Sequence, residues 1–293
     1  MATKRTEAAA GFSGKAAIGI LAGSGQFPFL VARAARERGC PVIVCGFTGN
    51  TDPALAREAD AFTLLPLGQL DRLIAFLKSH QVSRVCMAGA ILKPRDFSFR
   101  PDFRALRLLF RLALKGRGDD AVLGALAAEL EGEGLAVIRP DDLAPALRGP
   151  AGILGQRRPD PDQWRDIRFG WATAKALGAL DIGQCVVIKN GVVIAVEAIE
   201  GTDAALARAG ELAGAGCTLV KTAKPGQDER LDLPSLGAGT VSLLARHSFA
   251  CLAFEAEKTL FFDLGSSLAA ADAAAIAVVG VPTGAEDFFA AHS

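Results

Sequence analysis

Residues 221–237, KTAKPGQDERLDLPSLG, bring both signs of charge together in a segment that neither a helix nor a strand requires. The cations are Lys221, Lys224 and Arg230, the acids are Asp228, Glu229 and Asp232, and Gln227 stands among them. Pro225 lacks a backbone donor and Gly226 is conformationally permissive, so this pair predicts a turn. Carboxylates beside ammonium and guanidinium groups suit the joint binding of a phosphate and a metal ion. A solvated loop with internal ion pairs is the alternative that the sequence leaves open.

A second polar group lies around Asn190-Gly191, which separates the apolar runs QCVVIK and VVIAVEA. Two such runs joined by Asn-Gly predict a β-hairpin. The hairpin returns the chain, so we expect Gln184 and the run EGTD, residues 200–203, at one edge of a sheet.

The acids of the EGTD run are candidate metal ligands. Glu200 and Asp203 are three residues apart and could share a cation with Asp228 or Asp232. Hard oxygen ligands of this kind suit Mg²⁺ or Mn²⁺ bridged to substrate phosphates. The alternative is that Thr202-Asp203 only caps a helix.

A glycine turn near the N-terminus is a candidate anion site. The run GSGQFP holds Gly23, Gly25 and Gln26 between a predicted buried strand and a predicted helix, where backbone N–H groups can receive a phosphate. The third glycine of a dinucleotide fingerprint is missing, and no acid follows the second strand before Asp52, which weakens the case for NAD binding. A plain tight turn is the alternative.

A charged loop follows the third predicted strand. GAILKPRDFSFRPD begins at Gly89 and carries Lys93 and Asp102 among other charged residues. Gly23 and Gly89 both follow parallel strands, whose carboxyl ends share one sheet edge, so we expect them to line one crevice. The loop is predicted to hold a substrate phosphate or sugar hydroxyl, and a charged surface loop is the alternative.

The elements that must position these residues predict an α/β protein. Strand, helix, strand, helix and strand alternate through residues 16–90 with continuously apolar strands, which indicates a Rossmann-like parallel sheet. We expect this domain over 16–145, a linker rich in proline and glycine over 146–165, and a mixed α/β (α+β) domain over 166–293. Residues 1–15 are predicted to be a disordered tail or a cloning remnant without the apolar core of a secretory signal.

Composition excludes several classes of protein. The chain has 32 basic residues (lysine and arginine) and 32 acidic residues (aspartate and glutamate). The resulting net charge of zero argues against a basic surface for binding nucleic acid. The six cysteines lack zinc spacing and mostly lie in apolar runs, which predicts buried free thiols in a reducing cytoplasm. The sequence contains no run of 18 apolar residues, so it predicts no membrane span. The charged motifs therefore favour phosphoryl or pyrophosphoryl chemistry.

From about Ala16 to about Leu264 the chain resembles the LpxI-type UDP-2,3-diacylglucosamine pyrophosphatases of lipid A biosynthesis. The resemblance rests on four runs: ILAGSGQFP, GAILKPRDFSFRPD, ALDIGQCVVIKNGVVIAVEAIEGTD and KTAKPGQDERLDLPSLG. It implies a UDP-binding N-terminal domain, a C-terminal domain for the lipid part (lipid X), and Mg²⁺-dependent hydrolysis that yields lipid X and UMP. A cytoplasmic enzyme is implied, and peripheral contact with the inner membrane and a homodimer stay open.

The resemblance also implies roles for single residues. Asp228 and Asp232 become the leading metal-binding or water-activating acids, and Lys221, Lys224 and Arg230 become phosphate contacts. Glu200, Thr202 and Asp203 become candidates for metal or hydroxyl binding, and Gly23, Gly25 and Gln26 are assigned to the uridine nucleotide.

Two other functions stay open on the residues alone, a nucleotide-dependent oxidoreductase and a non-catalytic carrier or sensor of a nucleotide sugar or lipid. An apolar surplus beside the charged loop predicts either ordinary core or a lipid-facing surface. Its members are Phe97, Phe99, Phe103, Leu108, Leu109 and Phe110.

Overall fold

The computed structural model describes residues 16–91, 100–115 and 119–292 and divides them into two compact units. The first unit contains the described residues up to Pro145 together with Asp228–Asp232. The second contains Ala146–Gln227 and the chain from Leu233 onward. The five-residue segment Asp228–Asp232 therefore belongs with a unit whose other residues lie far away in sequence. The tail predicted over 1–15 and the loop residue Lys93 lie outside the described residues.

The first unit is built on a five-stranded parallel sheet of order β3-β2-β1-β4-β5. Its strands are β1 (Ile18–Ala22), β2 (Val42–Phe47), β3 (Ala61–Leu65), β4 (Arg84–Ala88) and β5 (Ala136–Val137). Its helices are α1 (Phe27–Glu37), α2 (Leu70–Ser79), α3 (Phe103–Lys115), α4 (Asp119–Gly132) and the short α5 (Pro140–Leu143), with a 3₁₀ turn at Pro53–Glu58.

Helices cover both faces of this sheet, since each face carries its own hydrophobic cluster. Helices α2, α3 and α4 pack on one side through residues such as Leu77, Ala105 and Leu130. Helices α1 and α5 pack on the other through residues such as Val31 and Leu143. The predicted Rossmann-like parallel domain is confirmed.

The second unit is built on a six-stranded mixed sheet of order β6-β13-β11-β9-β7-β8 and a two-stranded parallel sheet of β10 and β12. The six-stranded sheet contains β6 (Gly152–Leu154), β7 (Cys185–Lys189), β8 (Val192–Val196), β9 (Thr218–Lys221), β11 (Cys251–Glu255) and β13 (Ala277–Val281); the small sheet contains β10 (Ser235–Leu236) and β12 (Leu260–Phe261). The helices are α6 (Pro161–Ala179), α7 (Thr202–Ala213), α8 (Ala238–Arg246), α9 (Leu264–Ala273) and α10 (Ala285–Ala290), with a 3₁₀ turn at Pro145–Leu147.

Strands β9, β11 and β13 are parallel, whereas β6, β7 and β8 join in antiparallel pairs. Helices α7, α8 and α9 contribute to the hydrophobic cluster on one face, and α6 and α10 contribute to that on the other. The predicted mixed α/β domain is confirmed.

The predicted hairpin around Asn190-Gly191 is also confirmed. Asn190 has φ 52° and Gly191 has φ 76°, the two positive values that a type I′ turn requires. The carboxylate of Asp166, a buried residue of α6, accepts the N–H groups of Asn190 (3.0 Å) and Gly191 (2.7 Å). The turn is therefore fixed by a helix as well as by its own sequence.

Several element boundaries differ from the sequence expectation. Residues 146–165, expected as a linker, contain β6 and the first turn of α6. Helix α6 begins at Pro161 because Asp160 forms a capping box with Gln163. Strand β13 lies within the Ala-rich C-terminal sequence and pairs with β11.

Candidate active site

The glycine corner of the first unit, formed by residues 23–25 and 89–90, lies where strand order reverses between β1 and β4. Gly23 donates its N–H to Ala88 O (2.8 Å), and Ser24 donates its N–H to Ala90 O (2.8 Å). A Cβ on Gly23 would lie 2.4 Å from Ala90 O, so no larger residue fits there. Gly89 has φ 90°, and a Cβ on it would lie 2.4 Å from Ser24 O. The expected proximity of the two glycine turns is confirmed.

Gly25 and Gln26 stand on the exposed side of this corner. Gly25 has φ 88°, which favours glycine, and Gln26 is the N-terminal cap residue of α1. The beginning of a helix at the carboxyl edge of a parallel sheet presents backbone N–H groups and a partial positive charge to an anion.

The segment Asp228–Asp232 belongs to this same unit. Glu229 forms an ion pair with Arg139, which follows β5 and so lies at the carboxyl edge of the sheet. Arg230 Nη1 lies 2.6 Å from Glu131 Oε1 on α4. Leu231 packs against the hydrophobic cluster of the α2, α3 and α4 side. Two ion pairs and one apolar contact therefore attach the segment to the first unit.

Asp228 and Arg230 form a two-pronged ion pair within this segment. Arg230 Nη2 donates to Asp228 Oδ2 (2.7 Å), and Arg230 Nε donates to Asp228 Oδ1 (3.0 Å). These hydrogen bonds from Arg230 hold the pKa of Asp228 below its ordinary value of 3.8. Asp228 is therefore an ionised acceptor at neutral pH, and Asp232 lies exposed four residues further on.

The turn predicted before this segment is confirmed. Gln227 donates its N–H to Lys224 O (3.3 Å), and Gly226 at the third position has φ 76°, as in a type II turn with proline in second place. The Lys224 ammonium lies 2.5 Å from Asp181 Oδ1. This cation, predicted to contact phosphate, is therefore paired with a carboxylate of its own unit.

A buried polar cluster in the second unit unites three of the predicted residues around Glu197. Thr202 Oγ1 donates to Glu197 Oε1 (2.7 Å) and accepts from Lys221 Nζ (3.1 Å). The N–H of Gln184 donates to Glu197 Oε2 (3.1 Å), and Lys221 Nζ also donates to Ser235 O (3.0 Å). The expected proximity of Gln184 and the EGTD run is confirmed for Thr202.

Glu197 is a residue that the sequence reasoning did not select as part of the site. It is 8% exposed and organises the cluster by accepting from two predicted residues. A single acid inside the apolar run VVIAVEA was the available signal, because a buried carboxylate needs partners. The Gln184 Oε1 atom is buried, and among the described residues it has no hydrogen-bond partner.

A second group of charged residues that the sequence did not predict as part of the site fixes the chain just before the turn. Glu255 Oε2 accepts the N–H of Ala223 (2.9 Å), and Lys175 Nζ donates to Ala223 O (3.0 Å). Lys175 and Glu255 also form an ion pair, and Lys258 Nζ lies 3.3 Å from Glu255 Oε1. Both polar groups of Ala223 are thereby fixed, one residue before Lys224. We call this arrangement the Ala223 clamp.

Some predicted residues occupy structural positions. Asp102 caps two helices, since its Oδ1 accepts from the N–H of Ala105 (2.9 Å) in α3 and its Oδ2 accepts from the N–H of Asp71 (2.6 Å) in α2. Glu200 forms an ion pair with Arg208 (2.6 Å).

Two further residues concern the start of α7. Asp203 lies exposed in the first turn of this helix. The suggestion that Thr202-Asp203 caps α7 is wrong, because Gly201 is its cap residue and makes no side-chain cap.

A metal ion needs a group of side chains that can donate oxygen, nitrogen or sulfur ligands. No group of three histidine, cysteine, aspartate or glutamate side chains gathers within the part of the chain that the structure describes. Mg²⁺ needs only one or two carboxylates when substrate phosphates and water complete its shell. Asp228 and Asp232, on one turn of the first unit, fit that requirement by their chemistry.

The thiols are all free and buried, which confirms that expectation. Burial raises the pKa of Cys45 and of Cys86 to about 12. Burial and a raised pKa make these two thiols poor nucleophiles. Across the described ranges, no helix combines the length and apolar character needed to cross a bilayer.

The Rossmann-like unit, with a glycine corner at its switch point, and the mixed α/β unit define a two-unit α/β protein. The profile of the LpxI N-terminal domain matches residues 17–147, and that of the LpxI C-terminal domain matches residues 150–279. The chain belongs to the LpxI family.

A curated relative supports this assignment over nearly the whole chain. UDP-2,3-diacylglucosamine pyrophosphatase LpxI from Caulobacter vibrioides is 34% identical over 274 residues, which cover 90% of this chain and 97% of the relative.

Solved structures resemble the chain only weakly. The biotin carboxylase domain of a thermophilic 2-oxoglutarate carboxylase bound to ADP shows 10% identity and a TM-score of 0.26 over 58% of this chain and 34% of its own. The biotin carboxylase subunit of pyruvate carboxylase shows 12% identity and a TM-score of 0.26 over 59% of this chain and 35% of its own. The chain thus spans about a third of their length, and similarities of this size say nothing about its function.

Proposed function

We propose that this protein hydrolyses the pyrophosphate bond of UDP-2,3-diacylglucosamine to 2,3-diacylglucosamine 1-phosphate (lipid X) and UMP in lipid A biosynthesis. The observation that carries the proposal is the similarity, over 90% of the chain, to a relative named for that pyrophosphatase activity. The enzyme would act in the cytoplasm, where its nucleotide-sugar substrate meets the cytoplasmic face of the inner membrane.

The nucleotide part of the substrate is assigned to the first unit. At the exposed corner of Gly25 and Gln26, the start of α1 is available to a phosphate. Gly23 and Gly89 allow the two chain segments of this corner to pack closely against each other. Asp228–Asp232 belongs to this same unit, which supports placing the diphosphate near it.

The sugar phosphate is assigned to cations and polar groups of the second unit. Lys221 is buried and is oriented by Thr202 and Ser235, so its ammonium has a fixed direction. Lys224 stands on the turn and can exchange Asp181 for a phosphate, since an ion pair of two partly exposed side chains contributes little stability. Gln184 adds a buried amide oxygen suited to a hydroxyl donor.

Hydrolysis requires that a water molecule add to one phosphorus while the bond from that phosphorus to the bridging oxygen breaks. The bridging oxygen leaves with the other phosphate, and a base takes the proton released from the water. Asp232, an exposed carboxylate, is the candidate for that base. Asp228 is held ionised and oriented by Arg230. Mg²⁺ held by Asp228, with substrate phosphates and water completing its shell, would supply neutralisation of charge on the phosphate oxygens.

The test is an assay of purified full-length protein on UDP-2,3-diacylglucosamine with Mg²⁺. We expect Asp228→Asn and Asp232→Asn each to lower kcat by about 100-fold or more, because each removes a charged group at the reacting phosphate. Asp162→Asn is the matched control, since Asp162 is an exposed acid paired with Arg165 in the other unit. Near-normal turnover by both site variants would remove the acids from the mechanism.

Metal dependence is tested in the same assay. Chelation should abolish product formation, and added Mg²⁺ or Mn²⁺ should restore it. Full activity after exhaustive chelation would refute the metal role. Stoichiometric binding of the substrate without any product would instead identify a non-catalytic carrier.

A further inference from the structure

Helix α3, FRALRLLFRLALK, carries two parallel stripes of different chemistry. Among the side chains that the structure describes, apolar residues stand at 103, 106 and 110, and the cations Arg104 and Arg107 directly follow the first two. Positions three, four and seven residues apart share one side of a helix, so the apolar stripe of Phe103, Leu106 and Phe110 runs beside a cationic stripe of Arg104 and Arg107.

The apolar stripe is exposed although the helix is already packed. Ala105 is buried and Leu108 packs against the hydrophobic cluster of the first unit, so the core-facing side of α3 is occupied. Phe103 is 82% exposed, Leu106 is 54% exposed and Phe110 is 70% exposed. Two phenylalanines on the outer side of a helix are more apolar surface than a solvated helix needs.

The charge of α3 indicates what covers this stripe. The helix has four cations and no acid. Arg104 is engaged with Asp71 and with Glu129 and Glu133 of α4, whereas the Arg107 side chain is 52% exposed and lies 3.4 Å from Glu129.

An occupant with negative charges beside an apolar layer matches this surface. A second copy of α3 would bring only further cations. An apolar stripe bordered by arginines is the pattern of a helix that lies in the interface of an anionic membrane.

We propose that α3 docks this protein on an anionic phospholipid bilayer. Phe103, Leu106 and Phe110 insert among the lipid headgroups and upper acyl chains, and Arg107, whose side chain is 52% exposed, contacts lipid phosphate. The docking does not depend on the catalytic residues, although it suits an enzyme whose substrate carries acyl chains.

The experiment is vesicle flotation of the full-length protein. Vesicles of phosphatidylethanolamine with phosphatidylglycerol are compared with vesicles of phosphatidylcholine alone, at low and high salt. We expect binding to the anionic vesicles only, with weakening as salt rises. The double variant Phe103→Gln/Phe110→Gln should lower the partition by at least about tenfold, because two apolar side chains no longer insert.

Two further variants test whether vesicle binding depends on the position of the apolar residues and on the charge of α3. Val192→Gln/Leu212→Gln removes two exposed apolar residues of the second unit, 59% and 68% exposed, and should float like the unchanged protein. Arg107→Glu reverses one charge of the cationic stripe and should lower the partition while leaving the apolar stripe intact.

The proposal is overturned if the unchanged protein does not float with anionic vesicles, or if the α3 variants float as well as it does. Concentration-dependent self-association that Phe103→Gln/Phe110→Gln abolishes would also overturn it, because the occupant would then be a second copy. Hydrolysis of substrate dispersed in detergent separates this proposal from the proposed function, since the α3 variants should keep that activity.

Discussion

Replacing Glu255 by alanine would remove the Ala223 clamp, which fixes the chain immediately before the proposed phosphate-binding turn. Glu255 is 2% exposed, and its carboxylate serves the N–H of Ala223, the ammonium of Lys175 and, more distantly, Lys258. Because Ala223 is also buried, its N–H group cannot simply exchange the carboxylate for bulk water.

The size of the effect follows from the groups left behind. An unsatisfied buried N–H at Ala223 costs about 1–3 kcal/mol. Lys175 loses its carboxylate, but its side chain is 27% exposed, so water compensates in part and we add only about 1 kcal/mol for it. We therefore expect Glu255→Ala to lower the free energy of unfolding by about 3 kcal/mol. Glu255→Gln keeps an acceptor oxygen for Ala223 and should cost about half as much.

Urea unfolding of the full-length protein measures these differences. A double-mutant cycle with Lys175→Met should give a coupling energy of about 1–2 kcal/mol, since the two side chains are in direct contact. The exposed pair of Asp162 and Arg165 is the matched control, and Asp162→Asn should change stability by less than about 0.5 kcal/mol.

Catalysis supplies a second readout of the same perturbation. Under conditions where Glu255→Gln is fully folded, its kcat should fall, because Ala223 precedes Lys224 on the turn. A loss of stability below about 0.5 kcal/mol in Glu255→Ala, or equal losses for alanine and glutamine, would refute the reasoning about the buried N–H group.

Asp166→Ala should lower the free energy of unfolding by about 3 kcal/mol, because the buried carboxylate accepts the N–H groups of both hairpin residues, Asn190 and Gly191. Urea titrations measure this loss, and a change below about 0.5 kcal/mol would contradict the expectation. Cys45 and Cys86 should resist thiol reagents at pH 8 until the protein is unfolded, because burial raises the pKa of each to about 12. Since the unfolded thiols ionise near pH 9 and the folded ones do not, stability should be retained below pH 9 and fall from there toward pH 12 by about 1.4 kcal/mol per unit for each thiol. Flat stability over that range would contradict the raised values.

Much of the fold was predictable because local patterns and long-range packing agree. Continuous apolar runs separated by helical periodicity predicted β1, β2 and β4, which are buried between two helical layers. The strands that were missed have weaker signals. Strand β3 is only partly buried at the sheet edge, and β13 lies within an Ala-rich sequence whose composition equally suits a helix.

The candidate site was predictable where backbone geometry demands a residue type. Gly23 and Gly89 are required by the close approach of two chain segments, and Gly226 by its positive φ. The partners of charged residues were not predictable, because a charge can meet its counterpart from any element. Asp102, expected at the substrate, caps two helices, and Lys224 faces Asp181.

The expected apolar surplus had a mixed outcome for the same reason. Leu108 packs against the core, whereas Phe103 and Phe110 are exposed on the same helix. The outcome depends on which side of α3 meets the other helices, and spacing alone does not fix that choice. Phe97 and Phe99 lie outside the described residues.

The segment Asp228–Asp232 is the clearest case in which the order of elements along the chain does not predict the unit to which residues belong. It lies between β9 and β10, both elements of the second unit, yet it belongs to the first. Local sequence predicted the turn before it but could not predict that Glu229 would meet Arg139 or that Leu231 would join a core formed by residues 17–137. Because ion pairs between partly exposed side chains contribute little, the apolar contact of Leu231 should provide much of the attachment. The proposed catalytic acids are thus held on the unit that carries the glycine corner, so the position of Asp228 depends on N-terminal residues with which it shares no sequence neighbourhood.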